Sequence, residues 1–277
     1  MLSTKLITLV VVTLTMITIS IPAHAHRAWI KPSKTVLSGE QNYVTFDAAV
    51  SNTLFIPEHV AFRMSYLSAT GPDGKELAFE NVGKGKYRNT FDLNLTQSGT
   101  YRVGSASSGL RASWKDAEGK RKRWPGRGGP AKGETFETAV PKQAKDLKVT
   151  YSSYRSETFV TLGQPSDDIL APSNKGLELV PVTHPNDLFA TEEATFKFYI
   201  DGEPAAKTKI EITRGSMRYR NAPETINVET NAQGEFSVTW PHAGMYFLEA
   251  SYEDDKAEAP ATKRTGSYSA TFEVLPL

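Results

Sequence analysis

The 277-residue chain has no cysteine, only five histidines and almost no net charge, with 32 Lys and Arg against 31 Asp and Glu. The missing cysteine excludes disulfide scaffolds, zinc ribbons, iron–sulfur clusters and thiol chemistry. Thiolate ligation of a metal is excluded with it. Near-zero charge gives no footing for bulk nucleic-acid binding. Catalytic signatures are missing too: the sequence holds no Gly-x-Ser-x-Gly, His-Glu-x-x-His or phosphate loop. No carboxylate pair is spaced for glycoside hydrolysis, and Glu253-Asp254-Asp255 reads as a solvated loop rather than a calcium site. The sequence reads as a binding protein rather than an enzyme. Long stretches of helical period are also lacking, apart from a short candidate at Ala139–Asp146.

What is present begins with a leader. Met1–Lys5 carries one positive charge, Leu6–Pro22 is apolar, and Ala23-His24-Ala25 puts small residues where a signal peptidase reads them. Residues 1–25 thus read as a secretory signal peptide removed after Ala25, which places the mature chain in a periplasm or at a cell surface. A retained anchor is the alternative, because the run approaches the ~18 residues that can span a bilayer. No later segment is long and apolar enough to cross a membrane.

Strand signals dominate the rest. Thr45–Val50, Tyr87–Leu95, Thr100–Ser105, Glu157–Leu162, Thr195–Ile200, Lys209–Thr213, Glu235–Trp240 and Met245–Ser251 are short and rich in β-branched and aromatic residues. Turn residues punctuate them, as at Gly71-Pro72-Asp73-Gly74 and Asp201-Gly202. One segment repeats: Phe91 to Val103 aligns without a gap on Phe236 to Leu248, matching Gly99 with Gly244 and Tyr101 with Tyr246. The physical reading is a strand, a tight turn at a glycine of positive φ, and a returning strand whose tyrosine bonds back to nearby backbone.

Gln164–Lys175, with two prolines, two serines and two aspartates, reads as a linker, and a linker of this kind can also pack. Residues 26–163 then form an N-terminal sandwich with a basic insertion, and residues 176–277 a C-terminal one. Asp201–Thr213 resembles the hairpin of transthyretin-like sandwiches. The predicted fold is all-β, two immunoglobulin-like or transthyretin-like β-sandwich domains in tandem.

The balanced charge hides an asymmetry. Arg27–Pro165 holds 21 basic and 13 acidic residues, a net of +8, and Ser166–Leu277 holds 10 and 18, a net of −8. Either the halves dock by complementary potential, or the basic half meets an anionic surface. Much of the positive charge lies in the insertion Trp114–Lys132, which carries Lys120, Arg121, Lys122 and Arg123. It reads as a solvated loop, with contact to an anionic envelope surface as the sharper alternative.

Removal of the leader would make His26 the N-terminal residue. Its α-amine and ring Nδ1 can close one chelate ring, and a second histidine then completes a three-nitrogen, T-shaped site. Such a donor set suits Cu(II) or Ni(II), and amines and imidazoles both shed protons near neutral pH. The second ligand is sought at His184, at a strand end where Pro185 biases it away from helix. Asp187 would orient its ring. His59, beside Glu58, is the other candidate to complete the site. Each histidine also has a plain reading, as a tolerated terminus, a turn residue bonded to backbone, or an exposed loop residue. His24 leaves with the signal, and His242 aligns with Gln97 in the repeat and reads as structural.

The segments His-Arg-Ala-Trp-Ile-Lys-Pro-Ser from His26, Phe-Asp-Ala-Ala-Val-Ser-Asn from Phe46, Glu-Thr-Phe-Val-Thr-Leu-Gly from Glu157 and Gly-Leu-Glu-Leu-Val-Pro-Val-Thr-His-Pro-Asn-Asp-Leu from Gly176 resemble one family. It is a bacterial exported domain of unknown function, often labelled a periplasmic component of nickel or cobalt uptake. The resemblance implies a histidine directly after the signal peptide, where His26 stands. Arg27 and His184 depart from the pattern, since many members have an acidic second residue and no histidine in the Leu-Glu-x-Val-Pro run. The leading expectation is a periplasmic protein binding Ni(II), Co(II) or Cu(II) through His26, with His184 or His59, for a membrane metal-transport system. The alternatives are a metal-free module gripping envelope polysaccharide or a protein, and a copper-dependent oxidase using the same chelate.

Overall fold

Buried and exposed residues alternate along most strands, and this alternation sorts them into three sheets around two main cores. The computed structural model describes residues 26–126 and 128–277. The expected signal peptide, 1–25, lies outside them.

The first sheet contains β1 (Arg27–Pro32), β3 (Asn42–Ser51), β4 (Val60–Ala61), β7 (Glu80–Lys84) and β8 (Arg88–Leu95). Its order is β1-β3-β8-β7, and β4 also pairs with β3. A second small sheet contains β12 (Leu177–Pro181), β13 (Glu193–Ile200), β14 (Glu203–Pro204) and β17 (Glu235–Thr239). The other strands build one ten-stranded sheet. From the first half of the chain come β2 (Val36–Leu37), β5 (Ser68–Thr70), β6 (Glu76–Leu77), β9 (Gly99–Lys115), β10 (Arg121–Trp124) and β11 (Lys145–Leu162). From the second half come β15 (Lys209–Arg214), β16 (Ile226–Glu229), β18 (Gly244–Asp254) and β19 (Lys263–Val274).

The large sheet is common to both halves. β11 pairs antiparallel with β9 on one side and parallel with β19 on the other, Thr150–Thr158 running beside Lys263–Thr271. Neighbouring residues of a strand point to opposite faces. Val160 and Leu162 therefore enter the first core, with Phe46, Phe91 and Tyr101, whereas Phe159 enters the second, with Phe196, Phe198, Trp240 and Phe272. The two small sheets cover opposite faces of the shared sheet at different places along it. The molecule is a pair of β-sandwiches, as the strand patterning implies.

The repeat forms matching corners. Gly99 and Gly244 have φ of +136° and +138°. The Tyr101 hydroxyl donates to Gln97 O at 2.7 Å, and the Tyr246 hydroxyl donates to His242 O at 2.8 Å. These are tyrosine corners, a hallmark of immunoglobulin-like sandwiches.

Two local expectations change, and the linker segment is packed. The short helix forms at Phe136–Ala139 rather than Ala139–Asp146, because Pro141 bars its continuation and Lys145 onward joins β11. Part of the insertion Trp114–Lys132 is strand rather than loop. Asp116 and Lys120 close a tight turn, with Gly119 at φ +79°, and β10 returns along β9 from Arg121↔Lys115 to Trp124↔Ala112. The segment 164–175 is packed: Ile169 and Leu170 are buried, and the Ser173 and Asn174 amides donate to the Glu178 carboxylate at 2.8 and 2.7 Å.

Candidate functional site around His26

β1 lies against the shared sheet where the two halves meet. Trp29 is fully buried, and its Nε1–H donates to Ser51 Oγ at 2.8 Å. Its ring joins Ala49 and Leu54 of the first half and Phe247 of the second in a small junctional core. Arg27, also buried, donates Nε–H to Glu249 Oε2 at 2.5 Å, which ties β1 to β18. His26 is the exposed residue immediately before this anchored strand.

His59 arrives from the other flank of β3. Arg27 pairs with Ser51 in β1, and Val60 with Val50 in β4, so the residues just before each strand stand at the same end of β3. Glu58 fixes the intervening loop. Its carboxylate accepts the amides of Asn52 and Thr53 at 3.1 and 2.7 Å and the Thr53 hydroxyl at 3.2 Å. The His26 and His59 rings stack with centroids 3.8 Å apart and planes 6° from parallel. Stacked rings send their in-plane lone pairs side by side. A metal about 2 Å from a nitrogen of each requires both rings to turn. Among the described residues no group of three His, Cys, Asp or Glu side chains is placed to hold a metal.

His26 borders a cavity of about 400 Å³. His26 and Arg27 form one wall. Its floor is a face of the shared sheet, in which Tyr154, Ser267, Ser251 and Lys209 stand in one cross-strand row and Ser269, Glu249 and Glu211 in the next. Burial raises the Tyr154 hydroxyl pKa, opposed by the nearby hydroxyls of Ser156 and Ser269. Hydroxyls and charges of both signs thus stand on the floor of a pocket beside His26.

His184 stands elsewhere and has both ring nitrogens occupied. Nδ1 accepts the Asn186 amide at 3.2 Å, so the neutral ring carries its proton on Nε2, which donates to Thr100 Oγ1 at 2.9 Å. Thr100 also meets Thr161 Oγ1, and Asn186 accepts from Thr161 at 2.9 Å and donates to Phe159 O at 3.0 Å. Burial lowers the His184 pKa, while Asp167, the Ser166 backbone and Asp187 oppose the shift. The structure therefore brings His26 together with His59 and places His184 in a hydrogen-bonded junction between β9 and β11. Glu58 and Glu249, which position the pair, were not singled out by residue type. The adjacency of Glu58 to His59 was the only local signal.

Residues 23–254 match the family described as "Domain of unknown function (DUF4198)". The chain belongs to this family. Within the DUF4198 match lie both histidines of the pair, the cavity floor from β11, β15 and β18, and the basic insertion, whereas β19 lies beyond it. No curated protein matches the chain. Among solved structures it is similar to the D0-D1 domain of intimin, at 11% identity and TM-score 0.22, over 89% of this chain and 97% of that one. It is also similar to an ICAM-5 D1-D4 ectodomain fragment, at 12% identity and TM-score 0.20, over 91% and 51% of the two chains. A marsupial T cell receptor gives 9% identity and TM-score 0.21, over 91% and 72%. Likenesses this distant carry no argument, and the architecture of this DUF4198 protein rests on its own sheets and cores.

Proposed function

We propose that this DUF4198 protein is an exported transition-metal-binding protein that delivers its cargo to a membrane uptake system. The reading is supported chiefly by the 3.8 Å stack of His26 on His59, directly before a strand anchored by Arg27 and Trp29. Removal of the leader after Ala25 gives His26 a free α-amine. That amine, the His26 ring and the His59 ring make three nitrogen donors, a set that suits Cu(II) or Ni(II) better than Co(II). Binding displaces protons from the donors, so affinity rises from acidic toward neutral pH.

Titration of the mature protein with Cu(II), Ni(II) and Co(II), after mass spectrometry has confirmed His26 as the terminus, tests the proposal. His59→Ala weakens binding by at least roughly the 10–100-fold that loss of even an outer-sphere partner costs. One extra residue before His26 does the same. His184→Ala leaves affinity unchanged. Undiminished binding with the extended terminus, or loss of binding in His184→Ala alone, would overturn the assignment.

The cavity beside His26, with serine, tyrosine, lysine and glutamate side chains on its floor, favours a second reading, a copper-dependent oxidase acting on a hydroxyl-bearing ligand held there. Oxygen consumption by copper-loaded protein with a reductant and a polysaccharide, above that of free copper, distinguishes it from a carrier.

A further inference from the structure

β10, the far end of β9 and the start of β11 form a three-stranded arm whose two faces differ sharply. Directly paired residues of neighbouring strands share a face. One face carries Ala112, Trp114, Trp124 and Val149, which pack with Phe136 and Val140. On the other, the register sets Arg121, Lys115 and Lys145 abreast in one row and Arg123, Ser113 and Lys148 in the next, with Arg111 opposite Thr150 beyond. All six cations of this face are exposed. Lys115 pairs with Asp146 at 2.7 Å, and among the described residues the other five make no ion pair.

Like charges directly opposite one another weaken a sheet. The strands here are otherwise well paired, and a local rule broken in a consistent element marks a functional surface. Between Arg111 and Lys148 the chain has eleven basic and five acidic residues, so this arm holds most of the excess positive charge of the first half. The register also divides the basic run: Arg121 and Arg123 belong to the cationic face, whereas Lys122 pairs with Trp114 on the packed face and reaches Asp116 at 3.4 Å.

We propose that this face docks on an anionic bilayer surface, its cations meeting lipid phosphates. The shape of the array decides for a bilayer over a single polyanionic chain. The cations spread in two dimensions, up to three strands wide at about 4.8 Å and in rows about 7 Å apart. The arm's tryptophans, the platforms a threaded polymer would stack on, belong to the packed face. Attachment is therefore peripheral, without an inserted apolar group, and is screened by salt within a Debye length of about 10 Å at 0.1 M.

Co-sedimentation of the mature protein with phosphatidylcholine vesicles, with and without phosphatidylglycerol, tests this. Binding is expected only with phosphatidylglycerol and is lost as salt rises. The triple variant Arg111→Gln, Arg123→Gln, Lys148→Gln binds these vesicles about 100-fold more weakly, near fivefold for each cation. A control, Lys34→Gln, Lys84→Gln, Lys120→Gln, loses the same charge off the face and binds nearly as well. Both keep the melting temperature of the parent protein, since every substituted side chain is exposed. Equal weakening in the two triples would overturn the proposal, because net charge alone would then govern binding. Failure to bind anionic vesicles overturns it too, and retention on soluble dextran sulfate in that case assigns the face to a linear polyanion.

Discussion

His184 shows what a histidine does when both ring nitrogens face the fold. Burial holds its neutral form, with pKa below the ordinary 6.5. The unfolded chain therefore binds a proton more readily than the native one. Its contribution to stability is full above about pH 6.5 and fades as pH falls toward the lowered native value. His184→Gln should flatten the slope of stability against pH in that window, as measured by urea unfolding at a series of pH values. His184→Ala should cost roughly 1–3 kcal/mol above pH 7, because Thr100 and the Asn186 amide lose partners. Of the site, the sequence allowed His26, His59 and His184 to be named. It did not allow the pair to be chosen, since the choice depends on which loops flank one end of β3. The adjacency of Glu58 to His59 is visible in sequence, but its tie to the Asn52 and Thr53 amides is not.

Among the elements, the two corners offer a controlled comparison. Tyr101 and Tyr246 are both buried and both bond a carbonyl four residues back. Each Tyr→Phe change should cost roughly 0.5–1.5 kcal/mol in denaturant unfolding. The glycines should differ. Both need positive φ, but a Cβ on Gly99 would lie 2.6 Å from Pro72 Cβ and 2.9 Å from Ser166 Oγ, whereas one on Gly244 meets nothing nearer than 3.6 Å. Gly99→Ala is therefore the more damaging, and comparable losses in the two variants would refute the steric part of this argument. The corners were legible because aromatic, glycine and tyrosine positions recur in register. The true lengths of β9 and β11 were not. Gly104-Ser-Ala-Ser-Ser-Gly109 has no β-branched residue, and its pairing, with β11 throughout and with β5 at Gly104, keeps it extended.

At the scale of the whole molecule, the parallel β11–β19 pair had no sequence signature, because nothing local states which strand of one sandwich will meet the other. It couples the halves more tightly than a linker would. Charge complementarity contributes little: among the described residues the ion pairs that cross between 26–165 and 166–277 are Arg27–Glu249 and Arg155–Glu178. Backbone pairing, the Trp29–Phe247 contact and the Tyr268 hydroxyl bond to Glu157 at 2.8 Å do the coupling. One cooperative unfolding transition is expected. Phe198→Ala, a loss of roughly 3–5 kcal/mol in the second core, should lower that transition without splitting it. Calorimetric and van't Hoff enthalpies that disagree, or a second peak in the variant, would show that the sandwiches melt independently.

β11 also determines what happens when the chain is divided. A fragment ending near residue 163 would keep its first core but bare the edge along Thr150–Thr158, and the complementary fragment would bare Lys263–Thr271. Unpaired edges of that length invite strand addition from other copies. Neither sandwich is a portable module: separated, the two would aggregate or find each other again.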